Sequence, residues 1–446
     1  MKDTPRPDTR EGPLHRQAGG VSVWHPENLD VGALVESWGK RVAEAVLWLG
    51  HCVYTGLADD ARCRDTQRVP LRADYLRNII GRHHLDAVRQ AAIQAGYVDR
   101  HPSYRAGDRS QAYWVLPPYD HARLVRREIT HGAMRHNIRK WHEARRRATW
   151  QRIHRHETPV NAAVCGHLWR NLQRVQLDAE IDIGEAFHLA HQIAVERIRD
   201  GEWWFKVDDY GRIHTNLTNL AKSLRGFLTV DGKRLVNVDI SESQPLFMGM
   251  VIAKSNGQTE AAREGASRTE GSHPPSLMMD NTMMDKNPLL EGAFDRARLP
   301  NDLRGYIELC EARGLYQAVA HRVGKTRDEA KQGVMVVFFD KPGHRNAVSA
   351  VLDELFPTVM GAMRDIKRPD YRRLAHFAQR IESAFMFGRV VPRIMELRPD
   401  LFIATIHDSI LTTAGDAEFV RKAMRDEFAQ LGLSPQVKVE PCSGTC

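Results

Sequence analysis

Two acidic residues of the 446-residue chain stand where an isolated carboxylate is costly. Asp239 closes the apolar run Leu235, Val236 and Val238 within KRLVNVDISESQPLFMGM (233–250), and a second apolar run begins at Leu246. Asp408 lies in LFIATIHDSILTT (401–413), with His407 and Ser409 beside it and β-branched runs on either side. A charge held among apolar residues needs a partner, hydrogen bonds or a metal ion. Taken singly, each is explained as a turn or structural aspartate. If the two meet in space, their oxygens form a holder for hard divalent cations, Mg2+ foremost and Mn2+ as a substitute.

A second set of residues suits a polyanion. In RDEAKQGVMVVFFD (327–340), Arg327 and Lys331 are four apart and project from one helical face. Phe339 follows eight residues after Lys331, about two turns further on. Two cations and a flat ring on one face suit a nucleoside triphosphate, the cations on its phosphates and the ring near base or sugar. The bland alternative is a surface helix with solvated charges and Val334, Val337 and Phe338 in the core.

These residues need particular elements beneath them. The first stretch reads as a buried strand turning into a helix, and the second as a hairpin with a carboxylate at its turn. Upstream, residues 1–30 read as a disordered tail without the apolar segment of a secretory signal. Val31 to Val53 has helical spacing, two shorter helices follow over 70–80 and 84–95, and strands are expected at Tyr97–Val98 and 112–116. Helix, helix, hairpin over 31–120 resembles a winged helix. Its second helix or basic wing (Arg100, Arg105, Arg109) would meet nucleic-acid phosphates, or the module would bind protein instead.

Residues 121–200 are expected to form a basic, helical, thumb-like region. Arg145, Arg146 and Arg147 are consecutive there, with Trp141 and Trp150 interleaved. Such a helix suits a phosphate backbone, although charge runs are also ordinary solvated faces. Residues 201–446 form the catalytic region, with a mobile polar insertion over 254–286. Hydrophobic content of 42% and charged content of 27% are those of a globular protein, and the formal charge is +8. No apolar run is long enough to span a bilayer, so no membrane partner is expected. The six cysteines show no CxxC pairing, which fits reduced thiols and a cytoplasmic location.

The order of these stretches resembles the palm and fingers motifs of family A nucleic-acid polymerases, which include DNA polymerase I-type enzymes and phage-type single-subunit RNA polymerases. VDISESQ resembles motif A with Asp239 as metal ligand, and IHDS resembles motif C with Asp408 as the second ligand and His407 beside it. Arg327, Lys331 and Phe339 match motif B, except that Phe339 replaces the usual tyrosine and Asp340 the following glycine. The resemblance implies that Arg212 and Arg225 approach primer, template or triphosphate, and that Gln379 lies on a helix contacting the primer–template.

The fold implied is α+β: a right hand with an antiparallel palm sheet, helical fingers and a thumb-like region behind the N-terminal winged-helix module. The activity implied is nucleotide addition to a 3′-hydroxyl with two Mg2+ ions and release of pyrophosphate. Template–primer and nucleoside triphosphates are the expected partners. Gln244 stands where DNA-making members usually carry a glutamate, and Ser409 follows Asp408 as in the single-subunit RNA polymerases. Together with Phe339 these departures lean slightly toward ribonucleotide tolerance, and both an RNA and a DNA product are compatible with the motifs. A non-catalytic nucleic-acid-binding regulator on the same body and a template-independent transferase are the alternatives.

Overall fold

A computed structural model of the protein describes residues 20–101, 110–178, 189–265, 287–341 and 346–442. The chain forms two compact units. One takes in the chain to Arg152 together with Gln176–Trp204 and Thr215–Ala221, and the other comprises Ile153–Val175, Phe205–His214 and Lys222–Cys446.

In the first unit the helix Val31–Asp59 starts where Asp30 accepts from the Ala33 N–H at 2.9 Å, and it breaks at Gly39, whose φ is +76°. Its buried face includes Val46, Leu47, Trp48, Val53 and Tyr54. Helices Ala73–Ile80 and Leu85–Gln94 follow, flanked by the antiparallel strands Val69–Leu71, Gln111–Val115 and Val98–Arg100 in that spatial order. The helix–helix–hairpin order is therefore present. Of the cations expected on a wing, Arg100 donates to Gln111 at 3.3 Å, whereas Arg105 and Arg109 lie outside the described residues.

Two boundaries differ from the sequence expectation. Ser22–Pro26, assigned to the tail, is a strand pairing with Leu124–Glu128, the start of the region expected to be helical. The Arg126 guanidinium lies 4.5 Å over the Trp24 ring and pairs with Asp200 at 2.6 Å, a cross-strand contact that no local periodicity discloses. The basic helix proper is Gly132–His154.

The second unit is mixed α and β around an antiparallel sheet. Its central strand Lys233–Ile240 pairs on one side with Ser409–Thr413, which pairs in turn with Ala404–Ile406. On its other side it pairs with Leu228–Val230 and Val437–Pro441. The strand passes through a short turn into the helix Ser243–Gly265. That helix packs on Asn301–Glu311 and Arg372–Phe385. The contact is close at Gly249, where a Cβ would come within 2.9 Å of the Ile307 side chain.

Three fully buried rings join these helices to Ala417–Gln430. Phe385 lies 4.1 Å from Phe428 and 5.3 Å from Phe247 between ring centroids. Such pairs add to burial because offset and tilted arrangements suit the ring quadrupoles. The insertion expected over 254–286 begins as a continuation of the helix to Gly265, and 266–286 lie outside the described residues. No described helix is long and apolar enough to cross a membrane.

Phe385→Ala should lower unfolding free energy by about 3–5 kcal/mol in urea titrations, the usual cost of emptying a packed aromatic site. A loss below about 1 kcal/mol would show that the three rings do not support the sheet.

Candidate active site

The register of the sheet brings the two aspartates together. Asp239 lies opposite Ser409 and Val238 opposite Ile410, so Asp408 is one residue from the position facing Asp239. Ile406 pairs with Ser409, leaving His407 and Asp408 as a two-residue turn. His407 has φ +55°, a left-handed conformation that this turn position normally gives to glycine. The Ser409 hydroxyl donates to the Ile406 carbonyl at 3.0 Å and closes the turn.

The electrostatics follow from this proximity. Burial, then the charge of Asp408, pushes the Asp239 carboxyl up to about 7, with Glu440 adding to the effect and Lys331 and Lys438 opposing it. Burial also raises Asp408, against the Ser243 hydroxyl bond and the charges of Arg212 and Lys331. Ser243 donates to Asp408 at 2.5 Å and lies 3.4 Å from Glu382. Glu382 is 2% exposed and accepts from Arg212 Nη2 at 2.8 Å. Burial, then the Asp408 charge, pushes its carboxyl up to about 7, while hydrogen bonds from Arg212 and Gln244 hold it down.

Seven of the residues expected to serve the site share this network. Asp239, Asp408, Gln244 and Arg212 take part as described. Lys331, on the exposed side of the helix Arg327–Phe339, sends its charge to both aspartates. His407 lies at the turn, its imidazole pushed down to about 4 by burial and then by Arg212, His214 and Arg225. Arg225 is thereby placed near His407, its own pKa lowered by burial. Arg212 Nε and His407 Nδ1 are buried without a hydrogen-bond partner, which leaves unmet polar capacity at the site.

Arg327 is the first residue of its helix, fixed by a capping box in which Thr326 and Glu329 exchange hydrogen bonds. It pairs with Glu242 at 3.2 Å rather than with either aspartate. Phe339 ends the same helix, half-buried and edge-on to Phe338 at 6.2 Å between centroids. Gln379 is half-buried on the helix Arg372–Phe385, one turn before Glu382. Arg145, Arg146 and Arg147 are exposed on Gly132–His154, in the other unit.

Sequence reasoning passed over Glu242, Ser243 and Glu382 as site residues. Glu382 carries a signal, since it is the one acid in the apolar stretch IESAFMF (381–387). Ser243 carries none.

Among the described residues no group of three or more His, Cys, Asp or Glu side chains converges as a metal cage. The Asp239–Asp408 pair still fits a magnesium ion, which is commonly held by one or two carboxylates with water and substrate phosphates completing its octahedron. Both groups are hard oxygen donors whose mutual repulsion a cation would relieve.

No protein-family model matches the chain, and no curated protein matches it. Among solved structures it is similar to the POL domain of Pol1 from M. smegmatis in complex with DNA primer-template and dNTP, at 15% identity and a TM-score of 0.29. The match covers 57% of this chain and 53% of that one, so the chain spans about half the length of the solved chain.

A pH dependence follows from the raised carboxyls. Unfolded, such groups lose their protons near pH 4, whereas folded Asp239 and Glu382 keep theirs to about 7. Between these limits the two carboxyls bind more protons in the folded state, so their contribution to metal-free stability should fall as pH rises from about 4 to about 7 and then level off, while the His407 imidazole, pushed down to about 4, contributes in the opposite sense below its ordinary value. Asp239→Asn should flatten part of that fall in melting curves recorded with a chelator. A slope identical to that of the wild type would contradict the assigned environment.

Proposed function

We propose that the second unit is a nucleotidyltransferase that adds nucleotides from nucleoside triphosphates to a nucleic-acid 3′-hydroxyl, directed by a template. The observation that supports this most is the meeting of Asp239 and Asp408 at the strand end and hairpin turn, with Lys331 acting on both. Two carboxylates that repel each other, beside a cation on an adjacent helix, suit a substrate that brings phosphates and divalent ions together.

In this reading Asp239 and Asp408 hold the ions, and Ser243 fixes one Asp408 oxygen through its short hydrogen bond. Bound magnesium would lower the pKa of the attacking hydroxyl and stabilise the leaving oxygens. Lys331 and Arg327 take the negative charge of the triphosphate, whose leaving pyrophosphate they stabilise. Arg212, held on Glu382, and the neutral His407 imidazole line the approach of the primer strand. Phe339 and Gln244 bound the sugar and base, and Gln379 contacts the duplex.

Gln244 gives its amide to Glu382, so the sugar pocket lacks a carboxylate at this position. Together with Ser409 this favours ribonucleotide use. The first unit, read as a winged helix, and the exposed Arg145, Arg146 and Arg147 would supply phosphate contacts of the kind whose affinity falls steeply with salt.

Asp239→Ala and Asp408→Ala should each reduce nucleotide addition by at least about a thousandfold in a primer-extension assay, while binding to the same primer–template changes little. Such a loss is that expected when a reaction's charge stabilisation is removed. Near-normal extension by either variant would refute the site. A protein that binds DNA yet extends nothing in magnesium would be the regulator instead, and extension without template would be the transferase. Replacing Arg145, Arg146 and Arg147 together by Ala should shallow the salt dependence of DNA binding by about one unit of slope per lost contact. An unchanged slope would place these arginines off the nucleic acid.

A further inference from the structure

Glu242 is a buried acid to which the proposed chemistry gives no role. It follows Asp239 by three residues, in the turn leading into Ser243–Gly265, and its φ of +54° is one that a non-glycine residue holds only where its surroundings enforce it. Its side chain is 1% exposed. One carboxylate oxygen accepts from the Leu315 N–H at 3.2 Å, and the Tyr316 N–H also donates to the group. The other oxygen accepts from Arg327 Nη2 at 3.2 Å. The Arg327 guanidinium in turn lies 5.3 Å over the Tyr316 ring.

The carboxylate is the fixed member of this pair. Its backbone is set by the strand–helix turn and its oxygens by amides of the helix Leu315–Val323, so it cannot withdraw without breaking both. The guanidinium is held at one edge by Glu242 and lies over Tyr316, while its side chain remains 30% exposed. Arginine has five N–H donors, and the bond to Glu242 uses one of them. An arginine arranged in advance loses less side-chain freedom when it meets a phosphate.

Resting on the nucleotidyltransferase reading above, we infer that Glu242 is a positioning residue that sets Arg327 for the triphosphate. It links the turn that follows Asp239 to the helix carrying Arg327 and so fixes the distance between the ion-holding and phosphate-holding parts of the site. Glu242 touches no reacting atom and acts through Arg327.

The test is a double-mutant cycle with Glu242→Gln and Arg327→Gln, read by binding of a fluorescent mant-labelled nucleoside triphosphate in magnesium buffer and by KM and kcat in primer extension. Glu242→Gln keeps the shape but removes the charge-assisted bond. It should weaken mant-triphosphate binding and raise KM by about five- to tenfold, with kcat changed by less than about twofold. In the Arg327→Gln background the same substitution should change binding by less than about twofold. Equal losses in both backgrounds would reveal a merely structural role, and tighter binding by Glu242→Gln would mean that Glu242 competes with phosphate. Either result overturns the inference. If Glu242→Gln does not fold, Glu242→Asp, which keeps the charge but shortens its reach, takes its place in the cycle. A wild-type protein that binds the labelled triphosphate yet adds no nucleotide would refute the polymerase reading and leave the binding cycle to decide on Glu242. A wild-type protein that binds no triphosphate would overturn both.

Discussion

Four carboxylates, Asp239, Glu242, Glu382 and Asp408, are drawn largely out of water at one end of the central sheet, and each needs an opposing charge or a proton. Burial of an unpaired acid is among the costliest events in folding. Two of the four are answered by arginine: Glu382 by Arg212 at 2.8 Å and Glu242 by Arg327 at 3.2 Å. Among the described residues, no arginine forms an ion pair with Asp239 or Asp408. The cations acting on Asp239 are the more distant Lys331 and Lys438, the latter opposite it on the neighbouring strand and paired with Glu440 at 3.4 Å. The unanswered charge is thus concentrated on one pair of acids. A divalent cation bound at that pair would relieve desolvation and mutual repulsion together.

The backbone holds this arrangement against strain. His407 and Glu242 both adopt left-handed φ values, and they flank the two aspartates on the hairpin turn and the strand–helix turn. Each non-glycine residue in that region costs on the order of 1–3 kcal/mol and persists because neighbours over-determine it. For Glu242 those neighbours are the Leu315 amide and Arg327. For His407 the turn is closed by Ser409 on Ile406 and braced by the buried Ile410 and Leu411. A rigid sheet with a packed aromatic base therefore carries the least relaxed backbone of the site, a division of labour that preorganised sites require.

Much of this was legible from local pattern. The strand into Asp239, the turn into a helix and the hairpin around Asp408 follow from period-two and apolar-run signals, because burial on a sheet imposes that spacing. Thr326 with Glu329 announces the start of the Arg327 helix as a capping box. Lys331 was legible as a cation on that helix, although its nearness to the aspartates was not. What stayed hidden depends on partners far off in sequence. Ser22–Pro26 becomes a strand only because Leu124–Glu128 lies beside it, and Glu382 joins the site 143 residues after Asp239 through Ser243 and Arg212. The Arg327–Glu242 pair was equally invisible, since four-residue spacing predicts which face a cation shares and not which acid it meets.

The identity of residue 409 follows from the same accounting. Ser409 faces Asp239 directly, is 4% exposed and spends its hydroxyl on the Ile406 carbonyl. An acid at this position would set a further buried charge across from Asp239 and beside Asp408, and Arg234, on the strand of Asp239, stands five residues away from that aspartate. Glu382 instead arrives from the helix Arg372–Phe385, where Arg212 from another segment of the chain can reach it and where Gln244 donates a second hydrogen bond. A small neutral residue on the hairpin and an acid on the helix are therefore linked choices. The first adds no further charge to the aspartate pair, and the second keeps Ser243 and Arg212 fixed around Asp408.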